Sequence, residues 1–194
     1  RAKAASNKYL FDYYFNSVTS LISSDLNFLV LLVPPEATKN IVEKVKDFNG
    51  PILIEKPVAT NLKDFDYILN LMKENRKILV GYNRRFYESV QKMKTEIENL
   101  DRIQFHVNIS EAAWGSDFRL GSTQDLIISN SVHVFDLIKF LFGKVIVKSS
   151  CEIRNKKNLK ASSLVIETEN GHIGTINFNF GVPNNLRSEE HTSE

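Results

Sequence analysis

Across 194 residues the chain has one cysteine, Cys151. A single thiol rules out an internal disulfide and fits a reducing compartment. No stretch approaches the roughly 20 consecutive apolar residues that a helix needs to cross a bilayer. No block of like charge is long enough for a nucleic-acid-binding arm, and the lysine-rich residues 154–160 read as a solvated loop between strands. No cluster of His, Cys and Asp has metal-ligand spacing, so no metal is expected. Internal repeats and low-complexity segments are also missing. Together these absences predict a soluble, cytoplasmic protein with neither nucleic acid nor membrane as partner.

The ends are unusual in composition. Residues 187–194, from Arg187 to Glu194, hold no apolar side chain and no periodicity. They look like the in-frame translation of a sequencing-adapter oligonucleotide and are read as a non-native tail, outside fold reasoning. Removing its one basic and three acidic residues moves the net charge from +2 to +4, which is mildly basic. At the other end, Arg1 opens inside a polar, helix-like run. The expectation is a fragment shortened at both ends. With 42% hydrophobic residues, it can still bury a real core.

The first half alternates strand and helix. Residues 1–10 read as the end of a helix and 18–24 as a short turn or helix. Residues 26–33 are nearly all apolar, as expected for a parallel strand covered on both faces. Pro34 and Pro35 end that strand. Ile41, Val45 and Phe48 fall on one helical face, closed by Asn49-Gly50. A strand over 52–54 follows, then a helix that Thr60 or Asn61 can cap, with Phe65, Leu69 and Met72 as its buried stripe. Residues 78–80 form a third strand. Strand–helix–strand–helix–strand at this spacing means right-handed crossovers and a parallel sheet.

The second half differs. A helix over 90–100 and a strand over 102–110 lead to a loop, 111–124, carrying Trp114. Residues 125–142 read as a strongly apolar helix ended by Gly143. Strands follow at 145–153, 163–168 and 173–180. Asn170-Gly171 between the last two is a strong hairpin signal, and Ile176, Phe178 and Phe180 alternate with polar residues. The predicted fold class is α/β: a partial Rossmann-type, doubly wound parallel sheet (1–82), then an α+β domain with an antiparallel sheet (83–186). The boundary falls at 81–85.

Glu-Lys-Pro at 55–57 is the most informative motif. It follows the apolar run Pro-Ile-Leu-Ile at 51–54, at the strand end where open α/β sheets bind ligands. A charged pair there is costly unless something uses it. Taken alone, Lys56 is more often a surface lysine near a turn. His133 is a second candidate. A lone histidine on an apolar helix is usually a satisfied core residue. Here Ser129 and Asn130 lie one turn before it and Asp136 one turn after it, on the same face. Asp136 could therefore fix the imidazole tautomer or serve only packing. Arg84 and Arg85 read equally as salt-bridge formers at the domain boundary and as ligands for an anionic, phosphorylated or nucleotide-linked substrate.

Leu-Val-Pro-Pro at 32–35, Glu-Lys-Pro at 55–57, Gly-Tyr-Asn-Arg-Arg-Phe at 81–86 and His-Val-Phe-Asp at 133–136 occur in an order and spacing that resembles the Gfo/Idh/MocA family. This is the glucose–fructose oxidoreductase and inositol dehydrogenase group of NAD(P)-dependent oxidoreductases. The resemblance covers nearly all of residues 1–186. It implies hydride transfer between a nicotinamide, NAD or NADP, and a hydroxyl carbon of a sugar, cyclitol or nucleotide sugar. It implies catalytic roles for Lys56, which stabilises a developing alkoxide, and His133, the general acid/base. Pro34, Pro35, Glu55, Lys56, Asn83 and Arg84 would line the cofactor. Arg85, Trp114, Asn130 and His133 would face the substrate, with Asp117 and Arg119 on the same loop as Trp114. A homo-oligomer built on the antiparallel sheet is also implied.

Two departures from that family stand out. No G-x-G-x-x-G phosphate loop occurs anywhere in the sequence. About one βαβ unit is missing from the family's pattern, so the chain by itself should not hold a dinucleotide tightly. Ser129 stands where many of these enzymes place an aspartate. That keeps open a catalytically silent, sugar-binding or regulatory relative, and beside it a different α/β nucleotide-sugar enzyme.

Overall fold

A computed structural model of the protein describes residues 2–74, 77–111, 131–155 and 158–180. They form two compact units, Arg1–Gly81 and Tyr82–Glu194.

In the first unit, helices α1 (Ala2–Tyr9) and α2 (Val18–Ile22) precede a three-stranded sheet of β1 (Leu29–Leu31), β2 (Ile52–Ile54) and β3 (Ile78–Val80). The strands are all parallel, in the order β1-β2-β3, with Leu31, Ile54 and Val80 in register at their carboxyl ends. Helix α3 (Pro35–Val45) connects the first two strands and α4 (Leu62–Glu74) the next two. Leu29, Leu31, Ile52, Ile54 and Ile78 point to the helical side, where Val42, Val45 and Ile68 complete the core. The intervening residues Val30, Leu53 and Leu79 are 44%, 39% and 58% exposed. The sequence predicts a first strand over 26–33 covered on both faces. Instead β1 is three residues long and the described helices cover one face. The strand order accounts for this. Successive crossovers of one hand between adjacent strands place consecutive helices on the same side.

Helix starts follow local chemistry. Pro35 occupies the first position of α3, where its missing N–H costs nothing, and Pro34 is the N-cap. In α4, the Asn61 Oδ1 accepts from the Asp64 N–H at 2.9 Å, and Asn61 Nδ2 donates back to the Asp64 carboxylate. Of the two candidate caps, Asn61 is the one that acts. Lys39 of α3 donates to the same carboxylate at 2.8 Å, tying the two helices together. That bond, ahead of the Asn61 one, holds Asp64 below the usual carboxylate range. The expected stripe Phe65, Leu69 and Met72 is rotated. Ile68 is fully buried, with Tyr67, Leu71 and Met72 packed beside it, while Phe65 is 41% exposed.

The second unit opens with a 3-10 turn, Asn83–Phe86, and helix α5 (Glu88–Glu98). Strand β4 (Gln104–Glu111), helix α6 (Val132–Phe142) and strands β5 (Val145–Asn155), β6 (Asn158–Thr168) and β7 (Ile173–Phe180) follow. The sheet order is β4-β7-β6-β5. β5, β6 and β7 pair antiparallel, as their short connections require, but β4 pairs parallel to β7 from Gln104↔Ile173 to Glu111↔Phe180. The expected antiparallel sheet is therefore mixed, because β4 and β7 are joined not by a hairpin but by a long connection that includes α6, β5 and β6. The expected loop over 154–160 is mostly strand, with Asn155 paired to Asn158; Lys156 and Lys157 lie outside the described residues. Expected helix 125–142 begins outside the described residues and is seen from Val132. It ends at Gly143, whose φ of +79° suits a residue without a Cβ. Gly171, at φ +80°, serves the predicted β6–β7 turn.

Ile97, Ile109, Ile138, Phe142, Ile166, Ile176, Phe178 and Phe180 form this unit's core between the sheet and its helices. Phe105 stacks on Phe142 with ring centroids 3.9 Å apart. Among the described residues, no helix is long and apolar enough to cross a membrane.

The rotated face of α4 gives a direct test. Ile68→Ala should lower the unfolding free energy by about 2–5 kcal/mol, as for a buried aliphatic truncation. Phe65→Ala should cost under about 1 kcal/mol, measured by urea titration of the same chain. The reverse order would place the buried stripe where the sequence pattern first suggests it.

Candidate functional site

Three parallel strands that end in register deliver their following residues to one edge. After β1 come Leu32, Val33 and the Pro34-Pro35 start of α3; after β2, Glu55 and Lys56; after β3, Gly81. Main-chain bonds continue the ladder past the strand ends. The Glu55 N–H donates to the Leu31 carbonyl at 3.0 Å and the Gly81 N–H to the Ile54 carbonyl at 2.8 Å. Glu55 is thereby tied to the end of β1, and Ile54 before it to Gly81, while the Glu55 side chain stays exposed. Its carboxylate lies over Gly81, where a Cβ would come within 3.2 Å of Oε2. Lys56 is half-buried beside it, ahead of a cis Lys56–Pro57 peptide. Pro34, Pro35, Glu55 and Lys56 thus share the carboxyl edge of one sheet.

Asn83, Arg84 and Arg85 stand together on the 3-10 turn of the second unit, Asn83 exposed and both arginines half-buried. His133 lies in the first turn of α6, 8% exposed, and Asp136 one turn later is equally buried. Arg85 reaches Asp136 with a two-point grip: Nε donates to Oδ2 at 2.7 Å and Nη2 to Oδ1. Arg85 is a salt-bridge former, yet its partner belongs to its own unit rather than lying across the boundary. The hydrogen bond to Asp136 raises the Arg85 guanidinium further above its ordinary value, against the opposing effect of burial. Asp136, weighed in the sequence as the imidazole's partner, is gripped by Arg85.

The turn and α6 meet through rings as well. The Tyr82 ring approaches the His133 imidazole edge-on, with centroids 6.3 Å apart. Burial first, then the Asp136 charge, pushes the Tyr82 hydroxyl above its ordinary pKa, with Arg85 opposing. Tyr82 is the residue sequence reasoning missed. Its position two places before a pair of arginines, at the point where the chain leaves β3, was the available signal. Trp114, Asp117, Arg119, Ser129 and Asn130 lie outside the described residues. His106 is exposed on β4, as its strand spacing suggests, and bonds Thr175 at 2.7 Å. Among the described residues no group of three or more His, Cys, Asp or Glu is placed to hold a metal ion.

Removing one partner of a pair this buried leaves the other charge stranded. Arg85→Met should therefore destabilise the chain by roughly 2 kcal/mol, less than for a fully enclosed pair because Arg85 is 35% exposed. Arg85→Met with Asp136→Leu should recover most of that loss in urea titration. An Arg85→Met variant as stable as the wild type would show that the pair contributes nothing.

No family model matches the chain. It is similar to an inositol 2-dehydrogenase of Corynebacterium glutamicum, 25% identical over 195 residues, covering 94% of this chain and 57% of that protein. Among solved structures it resembles the WlbA dehydrogenase from Bordetella pertussis in complex with NADH and UDP-GlcNAcA. There the TM-score is 0.73 at 19% identity, over 94% of this chain and 57% of that one. It also resembles the myo-inositol dehydrogenase from Lactobacillus casei in complex with NAD(H) and myo-inositol, with TM-score 0.72 at 18% identity, over 93% and 56% of the two chains. The chain thus spans a little over half the length of the relatives it matches.

Proposed function

Taking the chain as a relative of the inositol dehydrogenase group of oxidoreductases, we propose that it is part of an NAD(P)-dependent dehydrogenase. The substrate would be a sugar, cyclitol or nucleotide sugar, oxidised at a hydroxyl carbon. The observation that carries this reading is the charged pair Glu55-Lys56 at the carboxyl edge of an in-register parallel sheet. That edge is the place where α/β sheets of this kind hold nucleotides.

Their place at the carboxyl edge of one sheet suits Pro34, Pro35, Glu55 and Lys56 to one end of such a cofactor. Pro34, Pro35, Glu55 and Lys56, with Asn83 and Arg84 from the turn, would hold the nicotinamide nucleotide, NAD or NADP, which supplies the hydride acceptor when bound. A phosphate-binding glycine loop is not part of this sequence. Lys56 places a positive charge where the substrate oxygen becomes negative, an electrostatic contribution aimed at the transition state. His133 takes the hydroxyl proton as the carbon gives up its hydride, leaving a carbonyl. Imidazole suits that task because its pKa lies near neutrality. Trp114 and Asn130 are proposed substrate contacts, together with the exposed part of Arg85.

Turnover is the test. In a protein extended to the length of its relatives, NAD(P)H formation should be measured over a panel of sugars, cyclitols and nucleotide sugars. Lys56→Met and His133→Ala should each lower kcat by about 10²–10⁴-fold. Activity that survives both substitutions would sink the mechanism. Cofactor binding without turnover on any substrate would favour the silent relative that Ser129 suggests.

We place the protein in the cytoplasm, in keeping with its lone exposed cysteine. We also propose a homo-oligomer formed through the outer face of the mixed sheet. Val165 and Ile173 are exposed there, and Ser163, Asn177 and Asn108 are hydrogen-bonded in a row across three strands. Charged residues are scarce on that face, as in interface centres. Sedimentation should find an oligomer that Val165→Lys with Ile173→Lys converts to monomer; an unchanged sedimentation coefficient would exclude this face.

A further inference from the structure

A cavity of about 420 Å³ opens at the far end of α6 from His133. Its volume lies in the roughly 300–1,000 Å³ range of small-molecule sites. The last turns of α5 and α6 and the β6–β7 turn border it, all within the second unit. Lys94 of α5 donates to the Phe140 carbonyl at 3.0 Å and pairs with Glu98 at 3.1 Å, tying the two helices together along one wall. Ile97 and Leu141 make the lining partly apolar. His172 is the most deeply buried of the lining residues, at 4% exposure. Its Nδ1 accepts from the Ile103 N–H at 3.3 Å. A ring nitrogen that accepts carries no proton, so the imidazole proton is on Nε2. Phe142 stands T-shaped to the ring with centroids 6.1 Å apart and offers no oxygen. Among the described residues, Nε2 has no hydrogen-bond partner. A buried N–H costs free energy until something supplies an acceptor.

The charges around the cavity decide what can enter. Lys94 and Lys139 stand against Glu98 and Asp101, which leaves no net charge. The carbonyl ends of α5 and α6 add a negative field, which disfavours an anion. Two ammonium groups and the His172 N–H disfavour a cation. A hydroxyl group suits both signs, since its oxygen accepts from His172 while its proton is given to a carboxylate such as Asp101. Carbon–hydrogen faces between hydroxyls suit Ile97 and Leu141. We propose that this cavity binds an uncharged polyol of about monosaccharide size, held by His172 at its buried end and by Asp101 and Asn170 at its rim. The dehydrogenase reading is not used in this inference, which stands or falls apart from it.

The 194-residue chain can be titrated directly with D-glucose, myo-inositol, L-serine and succinate. Long-range ¹H–¹⁵N spectra follow its four imidazoles, and the Asn170 side-chain amide is followed beside them. Both polyols should shift the His172 and Asn170 signals saturably and leave His133 in place. Serine, a zwitterion, and succinate, an anion, should shift neither. His172→Asn keeps an acceptor for the Ile103 N–H and removes the Nε2 donor. It should weaken polyol binding about tenfold, read at Asn170. Asp101→Ala changes an exposed residue and should weaken binding about fivefold, which keeps the test open if His172→Asn does not fold. Polyol affinity unchanged in every folded variant of the two overturns the site. Saturable binding of serine or succinate instead of the polyols overturns the chemistry. No saturable shift with any of the four overturns both. An extended protein without dehydrogenase turnover would remove the earlier reading and leave this result standing.

Discussion

The common register of three short strands is the constraint on which the first unit depends. Leu31, Ile54 and Val80 end level with one another, so whatever follows each strand is presented at one edge. The hydrogen bonds from Glu55 and Gly81 back to the preceding strands extend that order by one more residue. A slip of one residue would turn Ile52 and Ile54 out of the core and send Leu53 into it. It would also reverse the side on which Glu55 and Lys56 emerge. Burial of Ile52 and Ile54 and placement of the charged pair are therefore one event, enforced by apolar contact rather than by the charges themselves.

Much of this was legible in the sequence. The alternation of short apolar runs with helical periodicity is local information, and it located all three strands of the first unit and its two crossover helices. The Asn61 cap, the Asn170-Gly171 turn and the Gly143 helix end are likewise written in a few neighbouring residues. What escaped is non-local. The phase of α4 depends on which side meets the sheet, and Ile68 and Phe65 are both apolar enough to claim it. The parallel pairing of β4 with β7 joins positions 69 apart, such as Asn108 and Asn177, with no turn between them to announce it.

The same limit applies to the site. Glu55, Lys56 and His133 were singled out because a motif carries them. The Arg85–Asp136 pair links positions 51 apart; Arg85 had been weighed as a salt-bridge former without a named partner, and Asp136 as a partner for His133. An arginine beside an arginine and an aspartate near a histidine each invite a local explanation, and the fold pairs them with each other. Charged residues on a buried face find partners by geometry, and a sequence states only that a partner is needed.

Among the described residues the mixed sheet ends in β4 on one side and in β5 on the other, and β5 is eleven residues long. An exposed strand of that length is a template on which another chain can add. Its pairing with β6 is broken by irregularities at Val147/Ser149 and at Ile153/Arg154. Lys148 at the first break is ion-paired to Glu167, and Arg154 at the second to Glu152. The first break leaves Lys148 of β5 as the extra residue and the second leaves Lys160 of β6, so the ladder beside this edge is interrupted twice, where an incoming strand would need a straight row of main-chain groups. An edge interrupted in this way is a poor template for strand-by-strand growth without end, so the irregularities of β5 act as a guard on that margin of the sheet.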